Sequence, residues 1–178
     1  MKARFLAAPF LLLLLLLAGC AASPKTRSYG FLDPRLEREV LYVVPFDATL
    51  VPPDFGGPIF DQFVDILNAR RKQTRVGRFV ILKEELKEVE PVWLIKQNYV
   101  SGDIWGYVES SGCCSTDMKV KSRIYLYEPG KNMPTLEVFV PVEGFFEHDR
   151  STLAAARSRM GKKLAEELAD AVLRKLTP

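Results

Sequence analysis

The chain has 178 residues with 25 Lys and Arg against 22 Asp and Glu, so its formal charge is only +3. That length supports one domain with a substantial core, and so weak a charge excludes an electrostatic nucleic-acid binder. With three cysteines and one histidine the chain is poorly supplied for a structural zinc centre, which takes four ligands, and we expect no metal.

The chain begins with Lys2 and Arg4, then an apolar run from Phe5 to Leu17, then Ala18, Gly19 and Cys20. Cations, an apolar stretch and small residues before a cleavage point have the layout of a secretory signal. The run is short of the about twenty residues that span a bilayer comfortably. Leu17-Ala18-Gly19-Cys20 resembles the lipobox of bacterial lipoproteins. That resemblance implies diacylglycerol on the Cys20 sulfur, cleavage before Cys20, and an acyl chain on the new amine, with no other cofactor. Two or three buried chains make such an anchor effectively permanent. In that class an aspartate directly after the cysteine retains the protein at the inner membrane. Ala21 and Ala22 therefore imply the outer membrane, on its periplasmic face.

We divide the chain into a signal over residues 1–19, the lipidated cysteine with a short tether over 20–38, and one globular domain over 39–178. Lys2 and Arg4 leave with the signal, so the mature chain is nearly neutral. The tether is small, polar and interrupted by Pro24, Gly30 and Pro34, which breaks any period. Even fully extended it reaches only about 60 Å, which keeps the domain near its membrane.

Val40 to Phe46 is a β-rich apolar run and reads as a buried first strand. Asp47 to Gly57 reads as a loop, with Pro58 opening a helix whose Ile59, Phe60, Phe63, Ile66 and Leu67 recur at helical spacing toward Gly77. Gly56 and Gly57 offer backbone N–H groups that an anion could use, although a plain loop-to-helix turn accounts for them equally. Arg78 to Leu82 reads as a second strand. Lys83 to Glu90 looks helical, Pro91 interrupts it, and Val92 to Gln97 suggests a second short helix.

Three alternating segments follow at Tyr99–Ser110, Lys119–Glu128 and Thr135–Glu143. Period two with contrast between the faces means strands lying on a core. Val100, Gly102, Ile104, Gly106 and Val108 fall on one face of the first, and Asp103, Trp105, Tyr107 and Glu109 on the other. Ser111 to Ser115 and Pro129 to Asn132 are turn sequences, so the three strands form an antiparallel meander. The last helix runs from Asp149 to Leu176, capped by Asp149 or Ser151, with Leu153, Met160, Leu164, Leu168, Val172 and Leu176 as its apolar stripe.

The fold expected is α/β (α+β): a single mixed sheet ending in a three-strand meander, packed with two to three helices in the order β-α-β-(α)-β-β-β-α. That order, with Val43-Val44-Pro45-Phe46 in the first strand, Tyr99-Val100-Ser101-Gly102 opening the third and a terminal helix, resembles a group of exported modules. The group comprises the curli-secretion lipoproteins, the lipoprotein activators of penicillin-binding proteins, the Pel-export lipoprotein and the amino-terminal domain of the Tol translocation protein. The resemblance implies a non-catalytic scaffold or accessory subunit of an envelope secretion, export or assembly machine, partnered by envelope proteins and able to form a homo-oligomer. A curli-type pore is disfavoured because the chain has no additional long amphipathic hairpins with which to build a barrel.

No catalytic motif stands out: there is no Gly-x-Ser-x-Gly, no His-Glu-x-x-His and no phosphate loop with lysine. Cys113 or Cys114 with His148 and Asp149 could imitate a base-activated thiolate, but a turn lacks the helix N-terminus or cation that activates one. The adjacent cysteines are a disulfide candidate, within the chain or between chains, in an oxidising compartment. Asp103, Trp105 and Tyr107 with Arg123, Tyr125, Tyr127 and Phe139 are the candidate interaction face, since aromatic rings among charges suit a protein interface or sugar stacking. The face serves a partner only if the domain's own helices leave it open. The alternative function is a monomeric glycan- or ligand-binding lipoprotein using the same face.

Overall fold

The computed structural model describes residues 40–177 apart from Thr49, so the signal, Cys20 and the tether lie outside the described residues. Five strands form one mixed sheet: β1 (Val40–Val43), β2 (Arg78–Ile81), β3 (Tyr99–Ser111), β4 (Ser115–Tyr127) and β5 (Leu136–Glu147). Their order is β2-β1-β3-β4-β5. β1 is parallel to both neighbours, while β3, β4 and β5 are antiparallel. Three α-helices join them, α1 (Pro53–Arg70), α2 (Pro91–Leu94) and α3 (Leu153–Leu176), and the expected order of elements holds. Among the described residues no helix is long and apolar enough to cross a membrane.

The two long helices share one face of the sheet. Phe55, Ile59, Phe63 and Leu67 of α1 and Met160, Leu164, Leu168 and Val172 of α3 close on Leu41, Val43, Val100, Ile104, Val120, Ile124, Val140 and Val142. The period-two residues of the strands thus meet the period-3.6 stripes of the helices in a single core. Gly102 admits the turn after β1 to this core. A Cβ there would stand 2.9 Å from the Arg123 carbonyl oxygen and 3.0 Å from the Phe46 ring, and Phe46 itself packs on Phe60 and Phe63 of α1.

Helix α1 begins earlier than its sequence suggests. Pro53 takes the first helical position, behind Pro52 as N-cap, and Pro58 lies inside the helix. A proline first position tolerates the missing N–H, and burial of Phe55 at 2% exposure favours extending the helix past Pro58. Gly56 is then helical, its N–H donates to the Pro52 carbonyl at 3.0 Å, and it is not free to hold an anion. The run 83–90 forms only a single 3₁₀ turn, Leu86–Glu88, because Pro91 disfavours helix in the residue before it and too few residues remain to nucleate one. Thr152, rather than Asp149 or Ser151, caps α3, its Oγ1 accepting from Ala155 N–H at 3.2 Å. Leu153 is consequently part of the first exposed turn and stands off the buried stripe.

Candidate functional site

The opposite face of the sheet is covered at one end only. Over β1, the Trp93 ring of α2 meets Tyr42 edge-on at 5.0 Å, and Val40, Val44, Val89 and Leu94 are buried there, apart from the main core. The turn between β4 and β5 is tied to this cover by Gly130 N–H, which donates to the Ile95 carbonyl at 2.6 Å. Gly130 reaches it with a φ of 76°, which glycine adopts without a Cβ penalty. Beyond that end Trp105 of β3, Lys121 of β4 and Phe139 and Phe145 of β5 are exposed.

Cross-strand register sets out what the open face displays. Tyr99 pairs with Tyr127, Asp103 with Arg123 and Arg123 with Phe139. The Tyr99 and Tyr127 rings stack with centroids 4.4 Å apart and planes at 8°, and Tyr125 adjoins Tyr127. Trp105 and Phe139 meet at 6.1 Å and are 40% and 48% exposed. Large aromatic rings with polar neighbours, half-open to water, offer contact area of the kind that protein interfaces and sugar stacking use.

Charges thread these rings. Lys121 Nζ and the Arg123 guanidinium stand 5.3 and 5.8 Å from the Trp105 ring centroid, within cation–π range. Arg123 also lies 3.6 Å from both Asp103 and Glu137, too long for hydrogen bonds. Asp103 Oδ1 and Arg123 Nε are buried without a hydrogen-bond partner, so the ion pair at the centre of the face is loosely closed. Tyr125 donates to Asp103 Oδ2 at 3.0 Å, and its phenol is pushed up to about 12, first by burial and then by that bond.

Six of the seven residues singled out from the sequence, Asp103, Trp105, Arg123, Tyr125, Tyr127 and Phe139, therefore share the open face. Tyr107 does not. The β3–β4 register shifts between Ile104 and Gly106, which makes Trp105 the extra residue of a β-bulge and reverses every later side chain. Tyr107 and Glu109 turn inward and Val108, which alternation placed on the core, turns outward at 54% exposure. The Tyr107 ring packs on Phe55 at 4.8 Å, and its hydroxyl contacts Glu109 and Arg157 of α3. Burial, then the Glu109 bond, pushes its phenol up to about 12. Gly106 directly after Trp105 was the available signal, since an isolated glycine in a strand often marks a bulge. Strand pairing adds three residues that sequence reading missed: Tyr99 and Lys121, and Phe145, which is 61% exposed.

The hairpin tip holds Cys113 and Cys114, both exposed, with their sulfurs 3.2 Å apart. His148 does not serve them as a base: its Nε2 is hydrogen-bonded to Thr116 Oγ1 at 2.9 Å, and Thr116 to Ser111. Among the described residues no group of three or more His, Cys, Asp or Glu is placed to hold a metal.

No protein-family model matches the chain, and no curated protein matches it. Solved structures do. The hypothetical protein CT253 of Chlamydia trachomatis is 11% identical with a TM-score of 0.50, over 75% of this chain and 95% of that one. The PelC dodecamer of Paraburkholderia phytofirmans is 16% identical with a TM-score of 0.47, over 73% and 88%. The lipoprotein GNA1162 of Neisseria meningitidis is 10% identical with a TM-score of 0.46, over 76% and 96%. One of these three is named as a lipoprotein. At such identities the likeness concerns the fold.

Proposed function

We propose that this chain is a lipid-anchored envelope lipoprotein that acts as a non-catalytic docking module, presenting the open β3–β5 face to a protein of an envelope export, secretion or assembly machine. In this reading the chain is cleaved after residue 19, acylated on Cys20 and tethered through residues 20–38, and Ala21 and Ala22 support the periplasmic face of the outer membrane as its location. The observation that carries the reading is that both long helices occupy one face of the sheet while Trp105 and Phe139 stay half-exposed on the other. Interfaces are enriched in aromatic side chains and arginine, and Trp105, Tyr125 and Arg123 supply both. Homo-oligomerisation through this face is part of the same proposal.

A saccharide-binding monomer is less favoured, because Lys121 and Arg123 already approach the Trp105 ring on which a sugar would stack. Crosslinking in intact cells, followed by purification through a carboxy-terminal tag, tests the reading. Wild-type protein should retain a discrete partner or further copies of itself, and Trp105→Ser with Phe139→Ser should lose it at unchanged abundance and melting temperature. Equal recovery from both proteins would refute this use of the face, and a monomer by light scattering with glycan affinity would favour the alternative.

A further inference from the structure

Two cysteines occupy the turn between β3 and β4, where hairpins ordinarily place Asn-Gly or Asp-Gly. Gly112 N–H donates to the Ser115 carbonyl at 2.8 Å, so Cys113 and Cys114 are the two central residues of a tight turn. Favoured two-residue hairpin turns need positive φ in the loop, and neither cysteine has it. Turn geometry therefore does not account for the pair. Nor does packing, since both side chains are exposed. What distinguishes the two residues is their sulfurs, 3.2 Å apart, at a tip about 40 Å along the strand from Tyr99. Tyr99 pairs with Tyr42 of β1, so the tip lies at the end of the sheet away from where the chain enters at Val40.

We propose that Cys113 and Cys114 form a reversible thiol–disulfide exchange site, at which a disulfide-bearing protein of the exported compartment oxidises the pair to a vicinal disulfide. The proposal rests on the reading of residues 17–20 as an export signal, because such a bond persists only where thiols are not kept reduced. In the first step Cys113 gives its proton to water and its thiolate attacks one sulfur of the partner's disulfide, forming a mixed disulfide and expelling the partner's other sulfur as thiolate. Cys114 then gives its proton to water and attacks Cys113 Sγ. The Cys113–Cys114 bond forms, the mixed disulfide breaks, and the partner's remaining sulfur leaves as thiolate. The two partner thiolates take up two protons from water, so this chain loses two electrons and two protons and one partner disulfide becomes a dithiol. With the sulfurs 3.2 Å apart, Cys114 is in reach of Cys113 to resolve the mixed disulfide.

The fold can register the change. The Cys114 carbonyl accepts from His148 N–H at 2.9 Å, and Ser151 N–H just beyond donates to the Glu147 carbonyl at 3.1 Å. Closing a ring across adjacent residues turns the peptide between them and disturbs the His148 bond at the approach to α3.

The test uses the full lipoprotein, quenched in acid in whole cells and alkylated before purification. The peptide spanning the tip should occur two hydrogens lighter and unalkylated, and should revert under dithiothreitol. Cys114→Ser should accumulate a mixed disulfide with another protein, which Cys113→Ser should not. In purified protein, oxidised glutathione should close the pair, and amide exchange at His148 should differ between the two forms. Alkylation of both cysteines in quenched cells together with resistance to oxidised glutathione would overturn the proposal, as would a bond found only between copies of this chain. If mass spectrometry shows the mature chain still beginning at Met1, the export reading fails separately, while the glutathione titration still decides the chemistry of the pair.

Discussion

Arg157 of α3 grips Glu109 of β3 with two hydrogen bonds, Nε to Oε1 at 2.7 Å and Nη2 to Oε2 at 3.0 Å. Its Nε also donates to the Tyr107 hydroxyl at 3.1 Å, and its Nη1 to Asp54 of α1 at 3.1 Å. One guanidinium thus joins the sheet to both long helices. The grip exists because the bulge at Trp105 turns Tyr107 and Glu109 to the helix side.

Replacing Arg157 with Met should cost about 1–3 kcal/mol, the usual consequence of leaving partly buried polar groups without partners. The effect should depend on pH. Hydrogen bonds from Arg157 hold the Glu109 carboxyl below its ordinary range, outweighing burial. Its stabilisation is therefore complete above the ordinary carboxylate pKa and is lost as pH falls through the depressed folded value. Denaturant midpoints over an acid series should fall steeply for the wild type and less so for the variant. Identical midpoints and slopes would remove the grip from the account.

Tyrosine ionisation offers a second reading of the packing. Burial is the first cause that pushes the phenols of Tyr99, Tyr107 and Tyr125 up to about 12. A raised folded pKa stabilises fully below the unfolded value near 10 and is lost as pH rises toward 12. Ultraviolet titration of the native protein should show a late group of tyrosinates, and Tyr107→Phe should remove one. Uniform ionisation near 10 in folded protein would contradict the burial described.

Most of the architecture was legible because strands and helices write different periods. Leu41 and Val43, Val120 through Leu126 and the Met160 to Val172 stripe all sit where periodicity puts them. The start of α1 was not legible, since Pro58 looks like a first helical residue and only the burial of Phe55 reveals the extra turn. Nor was the inward turn of Tyr107, because one inserted residue at Trp105 inverts an alternation that otherwise reads cleanly. Exposure of the face could not be read at all, since it depends on which side of the sheet α1 and α3 choose.

Pro141 lies in β5, an edge strand. Proline has no N–H for a ladder, so it fits where that position points away from β4, and there it denies a new strand its bond. Pro141→Val should leave the monomer folded and increase concentration-dependent association in light scattering. An unchanged association profile would show that the edge needs no such guard.

Gly102 should be nearly irreplaceable. In Gly102→Ala the new methyl meets the Arg123 carbonyl and the Phe46 ring, and overpacking of this kind costs about 1–3 kcal/mol. Thermal melting should show the loss, and fluorescence quenching should leave Trp105 as accessible as in the wild type. A neutral substitution would mean that Phe46 moves aside freely.

The use of the open sheet face for docking is tested most directly by photocrosslinking in living cells. A benzophenone amino acid would be placed singly at Trp105, Phe139 and Phe145, and at Lys72 and Lys162 as exposed controls beside the helices. Docking through this face should give discrete adducts from the three sheet positions, lost in Cys20→Ala, and none from the controls. Adducts of equal yield from both sets, or from the control positions alone, would contradict it.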